Sequence, residues 1–264
     1  MVTRDTPWPA GTPSWVDIAA DDLGTLRLFY TEIFGWDIPE GRKEFGGYTN
    51  ADVGGRLVAG LSPKMEASQP TGWNMYFAVD NVDDTAAAIT ANGGTVVAPP
   101  MDVMELGRMA IATDPSGAAF GIWQAGTHSG IQRANEPGTL VWEEHMSPDW
   151  EAAKAFYAAV FGFGYTDLSA EGFTYATFNR AGSESMEDAL GGIGQDDGDG
   201  TVPRGWAIYF QVDDVDGIVD EIVKRDGSVI MPPSDTPYGR VAQVSDPEGA
   251  RFYVMTPPAG AQQG

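Results

Sequence analysis

The chain of 264 residues contains no cysteine, which excludes disulfides, a thiolate nucleophile, iron–sulfur clusters and cysteine zinc sites. Histidine is almost as scarce. His128 and His145 are the two present, little from which to build a metal centre. No apolar run approaches the ~20 residues of a membrane helix, and Met1–Gly11 has neither the basic start nor the apolar stretch of a secretion signal. A cytoplasmic protein with no membrane partner is expected. Positive charge is also short: 15 Lys and Arg against 38 Asp and Glu give a net charge of −23. Such a surface repels phosphate backbones, so no nucleic-acid partner is expected. What is present is an ordinary globular composition, 42% apolar and 11% aromatic, of a length that suits two domains.

The chain is a duplication. Asp22-Leu23, Phe29-Tyr30 and Phe34-Gly35-Trp36 recur 127 positions later as Asp149-Trp150, Phe156-Tyr157 and Phe161-Gly162-Phe163. Gly72-Trp73-Asn74-Met75-Tyr76-Phe77-Ala78-Val79-Asp80 recurs 133 later from Gly205, and Gly107-Arg108 with Asp114-Pro115-Ser116-Gly117 recurs 132 later from Gly239 and Asp246. The extra residues of the second copy read as longer surface loops at Ser183–Asp188 and Gly191–Gly200. The boundaries drawn are module one at 10–126, a linker at 127–138 and module two at 139–258. Each module is expected to be an independent unit with its own core.

Each module divides again. Ser14–Ala20 reads as a strand, Asp21 or Asp22 as a cap, and Leu23, Leu26, Tyr30, Ile33 and Phe34 follow helical spacing up to Gly35. Asn74–Val79 reads as a strand, and Val82–Ala91 as a helix stopped by Asn92-Gly93-Gly94. In its counterpart Asp213 or Asp214 caps a face of Val215, Ile218, Val219 and Ile222. The Asp-Pro-x-Gly tetrads suit a type I turn between the last two strands. The fold class is α+β, with four βαβββ units forming two tandem modules on curved mixed sheets.

These residues carry a resemblance. The βαβββ order, the Asp-x7-Tyr helix ending in Phe-Gly, the Phe-x-Val-Asp entry to the second helix and the Gly-Arg…Asp-Pro-x-Gly finish resemble the vicinal-oxygen-chelate superfamily of glyoxalase I, bleomycin-resistance proteins and extradiol dioxygenases. Gly11–Asp17, Gly117–Ala125 and Gly138–Trp142 are similar to tandem glyoxalase-like proteins described as glyoxalases, hydroxylases or culture-filtrate antigens. The resemblance implies a small-molecule ligand and, in metal-binding members, three ligand positions per module. These fall on Trp15, Asn74 and Gly121, and on Trp142, Ala207 and Tyr253. Only Asn74 among them offers even a weak oxygen ligand, so no metal and no cofactor are expected. The twelfth residue of a calcium loop begun at Asp196 or Asp197 lacks the required Glu, and Gly191–Gly194 has no helix behind it to cradle phosphate.

Strand alternation sets what the cups contain. Trp15, Asp17, Asn74, Tyr76 and Trp123 share one face in module one; Trp142, Glu144, Tyr209, Tyr253 and Met255 share it in module two. Each cup then holds a Trp, a second aromatic and one acid, which suits a flat or partly apolar ligand. Asp17 and Glu144 are the candidate catalytic residues, as general bases with pKa raised by burial. Trp15, Asn74, Tyr76, Trp123, Trp142, Tyr209 and Tyr253 are candidate ligand contacts, and Tyr48, Tyr175 and Tyr238 are candidates for the rim. Val16, Ile18, Met75, Phe77, Val79, Ile208, Phe210 and Val212 face the helices. Glu143 and His145 replace Val16 and Ile18 in module two, implying that this strand is exposed there or shifted by one residue. His145 reads as structural and His128 as an exposed linker residue. The function expected is a glyoxalase-like, metal-independent lyase- or isomerase-like enzyme on a carbonyl or aromatic metabolite. The alternatives are a ligand-sequestering protein of the bleomycin-resistance type and, behind it, a metal-dependent glyoxalase or dioxygenase. The first cup is the more polar, so Asp17 is expected to matter more than Glu144. The assembly admits a homodimer.

Overall fold

The structure is a computed structural model that describes residues 1–67, 69–183, 188–196, 198 and 204–258. After β1 (Val2–Thr3), the first module runs β2 (Pro13–Ala20), α1 (Leu23–Phe34), β3 (Thr49–Val53), β4 (Arg56–Pro63), β5 (Gly72–Ala78), α2 (Val82–Ala91), β6 (Thr95–Val103), β7 (Gly107–Thr113) and β8 (Ala119–Ala125). After β9 (Arg133–Ala134), the second runs β10 (Leu140–Ser147), α3 (Trp150–Phe161), β11 (Gly164–Asp167), β12 (Tyr175–Asn179), β13 (Gly191–Gln195), β14 (Gly205–Gln211), α4 (Val215–Lys224), β15 (Ser228–Thr236), β16 (Gly239–Ser245) and β17 (Arg251–Thr256). Three of the four units are complete βαβββ repeats. In the first, the strand after the helix shrinks to one bridge between Asp37 and Asp52, because Pro39, Gly41 and a short 3-10 turn occupy that stretch. No helix among the described residues is long and apolar enough to cross a membrane.

The helix ends follow from local chemistry. Asp22, Asn81, Asp149 and Asp214 each accept backbone N–H groups of the first turn, satisfying donors that the helix leaves unpaired. Gly35 and Gly162 stop α1 and α3 in the left-handed region at φ 70° and 73°, where a side chain would be strained. In both modules the sheet order is the same about a mixed centre. It is β3-β4-β2-β5-β8-β7-β6 in the first and β11-β12-β13-β10-β14-β17-β16-β15 in the second.

The modules are not independent. One continuous core spans both, and each first helix packs its aromatics onto the other module's sheet. Phe34 of α1 lies 4.8 Å from Phe210 and 5.9 Å from Phe252, and Phe161 of α3 lies 4.6 Å from Phe77 and 6.0 Å from Phe120. Burial of such rings supplies much of a core's stability, so separated modules would each expose an aromatic face. The polar seams cross as well. Asp114 and Asp246 close their own turns with one carboxylate oxygen and with the other accept from a tyrosine of the opposite module, Tyr157 at 3.3 Å and Tyr30 at 2.8 Å.

Two further expectations need correction. Gly191–Gln195 is not part of a loop but a buried strand; residues 184–187, 197 and 199–203 of the expected loops lie outside the described residues. Strand β10 is neither exposed nor shifted, since Trp142 and Glu144 stand opposite Tyr209 and Ala207 as Trp15 and Asp17 stand opposite Tyr76 and Asn74. Instead its inward polar residues are buried. The His145 ring is wholly enclosed, with Nε2 2.9 Å from Asp114 Oδ2 of the first module. That contact has ion-pair distance without an aligned hydrogen bond. Burial alone pushes Glu143 up to about 8, favouring its neutral form.

Candidate functional site

The strand register gathers the first cup. In β2, β5 and β8 the register aligns Trp15, Tyr76 and Gly121 in one row, and Asp17 with Asn74 in the next. Asp17 is 7% exposed and its carboxylate accepts from Asn74 Nδ2 at 3.0 Å, Tyr76 Oη at 3.1 Å and Tyr48 Oη at 3.3 Å. Burial raises its pKa to about 6, against the opposing pull of those three donors. The phenols shift in the same direction. Burial and then the Asp17 charge hold Tyr48 and Tyr76 well above the usual tyrosine range, so both remain donors at neutral pH. Trp15 Nε1 donates to Tyr48 Oη at 2.8 Å, completing an indole–phenol–carboxylate relay.

The second cup repeats this relay with one substitution. Trp142 Nε1 donates to Tyr175 Oη at 3.3 Å, and Tyr175 and Tyr209 donate to Glu144 at 2.9 and 3.2 Å. The third donor is missing, because Ala207 replaces Asn74. Burial again raises the pKa of Glu144. Tyr253 lies parallel to Tyr209 at 4.2 Å, at the place where the first module has Gly121 with the Tyr76 ring folded over it. There a Cβ on Gly121 would come within 2.0 Å of the Tyr76 ring.

The structure therefore brings together Trp15, Asp17, Asn74 and Tyr76 in one cup and Trp142, Glu144, Tyr209 and Tyr253 in the other. Trp123 stands on the same face beyond Gly121, but its indole N–H is spent on the backbone oxygen of His128 at 3.0 Å. His128 corrects the linker expectation. Its ring is half-buried against Trp15 at 4.5 Å and Trp123 at 5.6 Å, and burial lowers its pKa. Tyr238 is 57% exposed on the turn after β15.

Sequence reasoning left Tyr48 and Tyr175 on the rim, whereas both are central. The signal was available. They stand 127 positions apart, the offset of Trp15 to Trp142 and of Asp17 to Glu144. Gly60 and Gly192 carry a matching mark, since a Cβ on either would sit 1.9 or 1.7 Å from the phenol oxygen of Tyr48 or Tyr175. Each glycine is the slot through which its tyrosine reaches the acid. Asn50 and Thr177, again 127 apart, stand beside those glycines and leave Asn50 Oδ1 and Thr177 Oγ1 buried without a partner among the described residues. Unmet polar atoms at one repeated place, facing the acid row in both modules, mark where a ligand or water would bind.

A metal of the superfamily type does not fit these residues. Its three first-module positions present an indole, an amide and a hydrogen atom, and no group of three His, Asp or Glu that could hold an ion occurs among the described residues.

The comparisons agree with this architecture. A protein of Mycobacterium tuberculosis (strain CDC 1551 / Oshkosh) named "Putative glyoxylase CFP32" is 39% identical over 258 residues, covering 94% of this chain and 95% of its own. "Anthracycline biosynthesis protein DnrV" of Streptomyces peucetius is 34% identical over 269 residues, covering 96% and 95%. Among solved structures, the Mn(II)-bound glyoxalase of Novosphingobium aromaticivorans superposes with a TM-score of 0.64 at 16% identity, over 94% of this chain and 82% of that one. The 2,3-dioxygenase LapB of Pseudomonas sp. KL28 gives 0.64 at 16%, over 96% and 93%. At that identity the two structures establish the fold alone. The family model described as Glyoxalase/Bleomycin resistance protein/Dioxygenase superfamily matches residues 12–122 and again 144–254, and the chain belongs to that superfamily.

Proposed function

We propose that this protein is a metal-independent proton-transfer catalyst acting on a carbonyl-bearing aromatic metabolite, with Asp17 as the base. The observation that carries the reading is the Asp17 carboxylate, buried at a pKa of about 6 among donors that stay protonated. A base is most useful when its pKa lies near the working pH. Asp17 takes a proton from carbon next to a carbonyl, leaving a neutral carboxyl group and an enolate. Tyr48 or Tyr76, freed from the neutralised acid, can then turn its O–H toward the enolate oxygen. Return of the proton at another carbon completes an isomerisation, and departure of a β-substituent completes an elimination. Trp15 and Trp123 supply aromatic walls for a flat substrate. The substrate class is further supported by the anthracycline biosynthesis relative, since an anthracycline is built on fused aromatic rings.

Glu144 is assigned a supporting role in the second cup, with one donor fewer. A ligand-sequestering protein is the competing reading, favoured by the complete satisfaction of Asp17 by its own neighbours. The deciding experiment follows deuterium uptake from D2O into C–H positions next to a carbonyl, across a panel of hydroxylated anthrones and aryl ketones. The proposal expects accelerated uptake for at least one member and its loss in Asp17→Asn with binding retained. Binding without uptake in the native protein would establish the sequestering reading.

A further inference from the structure

A cavity apart from Asp17, at the edge of the second cup and sharing Ala207 and Tyr253 with it, lies where the start of β5 meets the start of β14. It has a volume of about 350 Å3 and draws its walls from both modules. Trp73 and Trp206 stand at its sides, Gln243 and Tyr253 line it, and Arg251 and Arg204 flank it. The two indoles are fixed in place, because their N–H groups donate to Tyr30 and Tyr157 at 3.2 and 2.9 Å.

Gln243 is the unusual member. It has no exposed surface, and neither its amide nitrogen nor its amide oxygen has a hydrogen-bond partner among the described residues. A buried primary amide with both ends unmet is rare, because each lost hydrogen bond is a cost that an apolar residue would avoid. The first module shows the apolar solution. The residue matching Gln243 is Ile111, opposite Gly121 on the neighbouring strand as Gln243 is opposite Tyr253. Arg251 likewise replaces Ala119, and in a strongly acidic chain it makes no ion pair among the described residues. Arg204 is paired with Asp196. The second module has thus gained an unpaired amide, an unpaired cation and a phenol ring at three neighbouring places where the first carries Ile, Ala and Gly.

We propose that this inter-module cavity binds a planar aromatic anion whose edge offers both a hydrogen-bond donor and an acceptor, as a fused-ring hydroxy-carboxylate does. The ring system lies against the Trp73 and Trp206 indoles, the edge pairs with both ends of the Gln243 amide, and the negative charge faces Arg251. The volume accommodates two or three fused rings. The net negative charge of the chain opposes anion binding, so local positive charge is required to hold the anion there.

The test uses the full-length protein and 1-hydroxy-2-naphthoate as probe, followed by titration calorimetry. One equivalent should bind, more weakly at higher salt, and the neutral 1-hydroxy-2-naphthamide should bind at least about tenfold more weakly. Arg251→Ala, at an exposed position, and Gln243→Leu should each weaken the naphthoate by about tenfold or more. Gln243→Leu without ligand should melt no lower than the native protein, since it removes an unmet amide. Asp17→Asn should leave this binding unchanged, which separates a failure here from a failure of the proton-transfer reading. Absence of binding, equal binding of the neutral amide, or unchanged affinity in Arg251→Ala would overturn the proposal.

Discussion

The two cups are copies of one design, and they differ in how completely each satisfies its acid. Asp17 has three side-chain donors and Glu144 has two, because Asn74 has become Ala207. The unmet polar groups run the other way: the second module adds an orphaned Gln243 where the first has Ile111. Composition alone ranks the first cup as the polar one. Hydrogen-bond completeness instead separates the modules by a fully bonded acid in the first and an unpartnered amide among the described residues in the second. The turns behind the cups teach the same lesson. Asp114 and Asp246 hold identical backbone N–H groups, and burial pulls both upward. At Asp246 burial prevails and its pKa is raised, whereas at Asp114 the neighbouring His145, with Ser116 and Ala118, outweighs burial and lowers it.

The comparison can be broken most forcefully at the acids. Asp17→Asn should reduce deuterium uptake by about 100-fold or more while Glu144→Gln costs less than about tenfold; equal losses in steady-state rates would abolish the distinction between the modules. Next comes Glu143, whose counterpart is Val16. Its folded pKa of about 8 exceeds the unfolded value near 4.5, so the folded state holds the proton more tightly. The contribution of Glu143 to stability is therefore fully present below pH 4.5 and is lost as pH rises through 8. Glu143→Gln should be more stable than the native protein by about 2–4 kcal/mol at pH 9 and nearly neutral at pH 4, as read by urea unfolding; a pH-independent difference would contradict the burial argument.

Smaller effects sharpen the repeat. Gly60→Ala and Gly192→Ala should each cost about 1–3 kcal/mol by overpacking the tyrosine slot. Pairing Gly60→Ala with Tyr48→Phe should recover part of the loss, because the clash is with the phenol oxygen. Thermal melting of the single and paired variants checks this, and a purely additive result would deny the slot. Smallest is the inter-module seam. Tyr30→Phe should cost about 1 kcal/mol and Tyr157→Phe less, since Asp114 keeps His145 and Asp246 has no such second partner; the reverse order in chemical denaturation would contradict the role given to His145.

Much of this architecture was legible because it is local or repeated. Asp22, Asn81 and Gly35 mark helix ends by their own chemistry, and strand alternation alone placed Trp15, Asp17, Asn74 and Tyr76 on one face. What escaped was set by packing between distant segments. Nothing near His145 in sequence announces Asp114, which lies on the opposite module's turn. The glycine run at 191–194 reads as a loop because glycine usually serves turns, yet here its missing side chains admit Tyr175. Gln243 looks like an ordinary polar strand residue until the core closes around it. The 127-residue offset would have revealed Tyr48 and Tyr175, since a duplicated acid keeps its duplicated donor.

The central assignment, Asp17 as the proton acceptor, is tested most directly by the pH dependence of deuterium uptake in the Glu144→Gln variant, measured with and without chelator. The account predicts a rate that rises through an inflection near pH 6 and levels above it, as Asp17 ionises, with no change on adding chelator. A profile flat across pH 5–8, or turnover abolished by chelator, would contradict it.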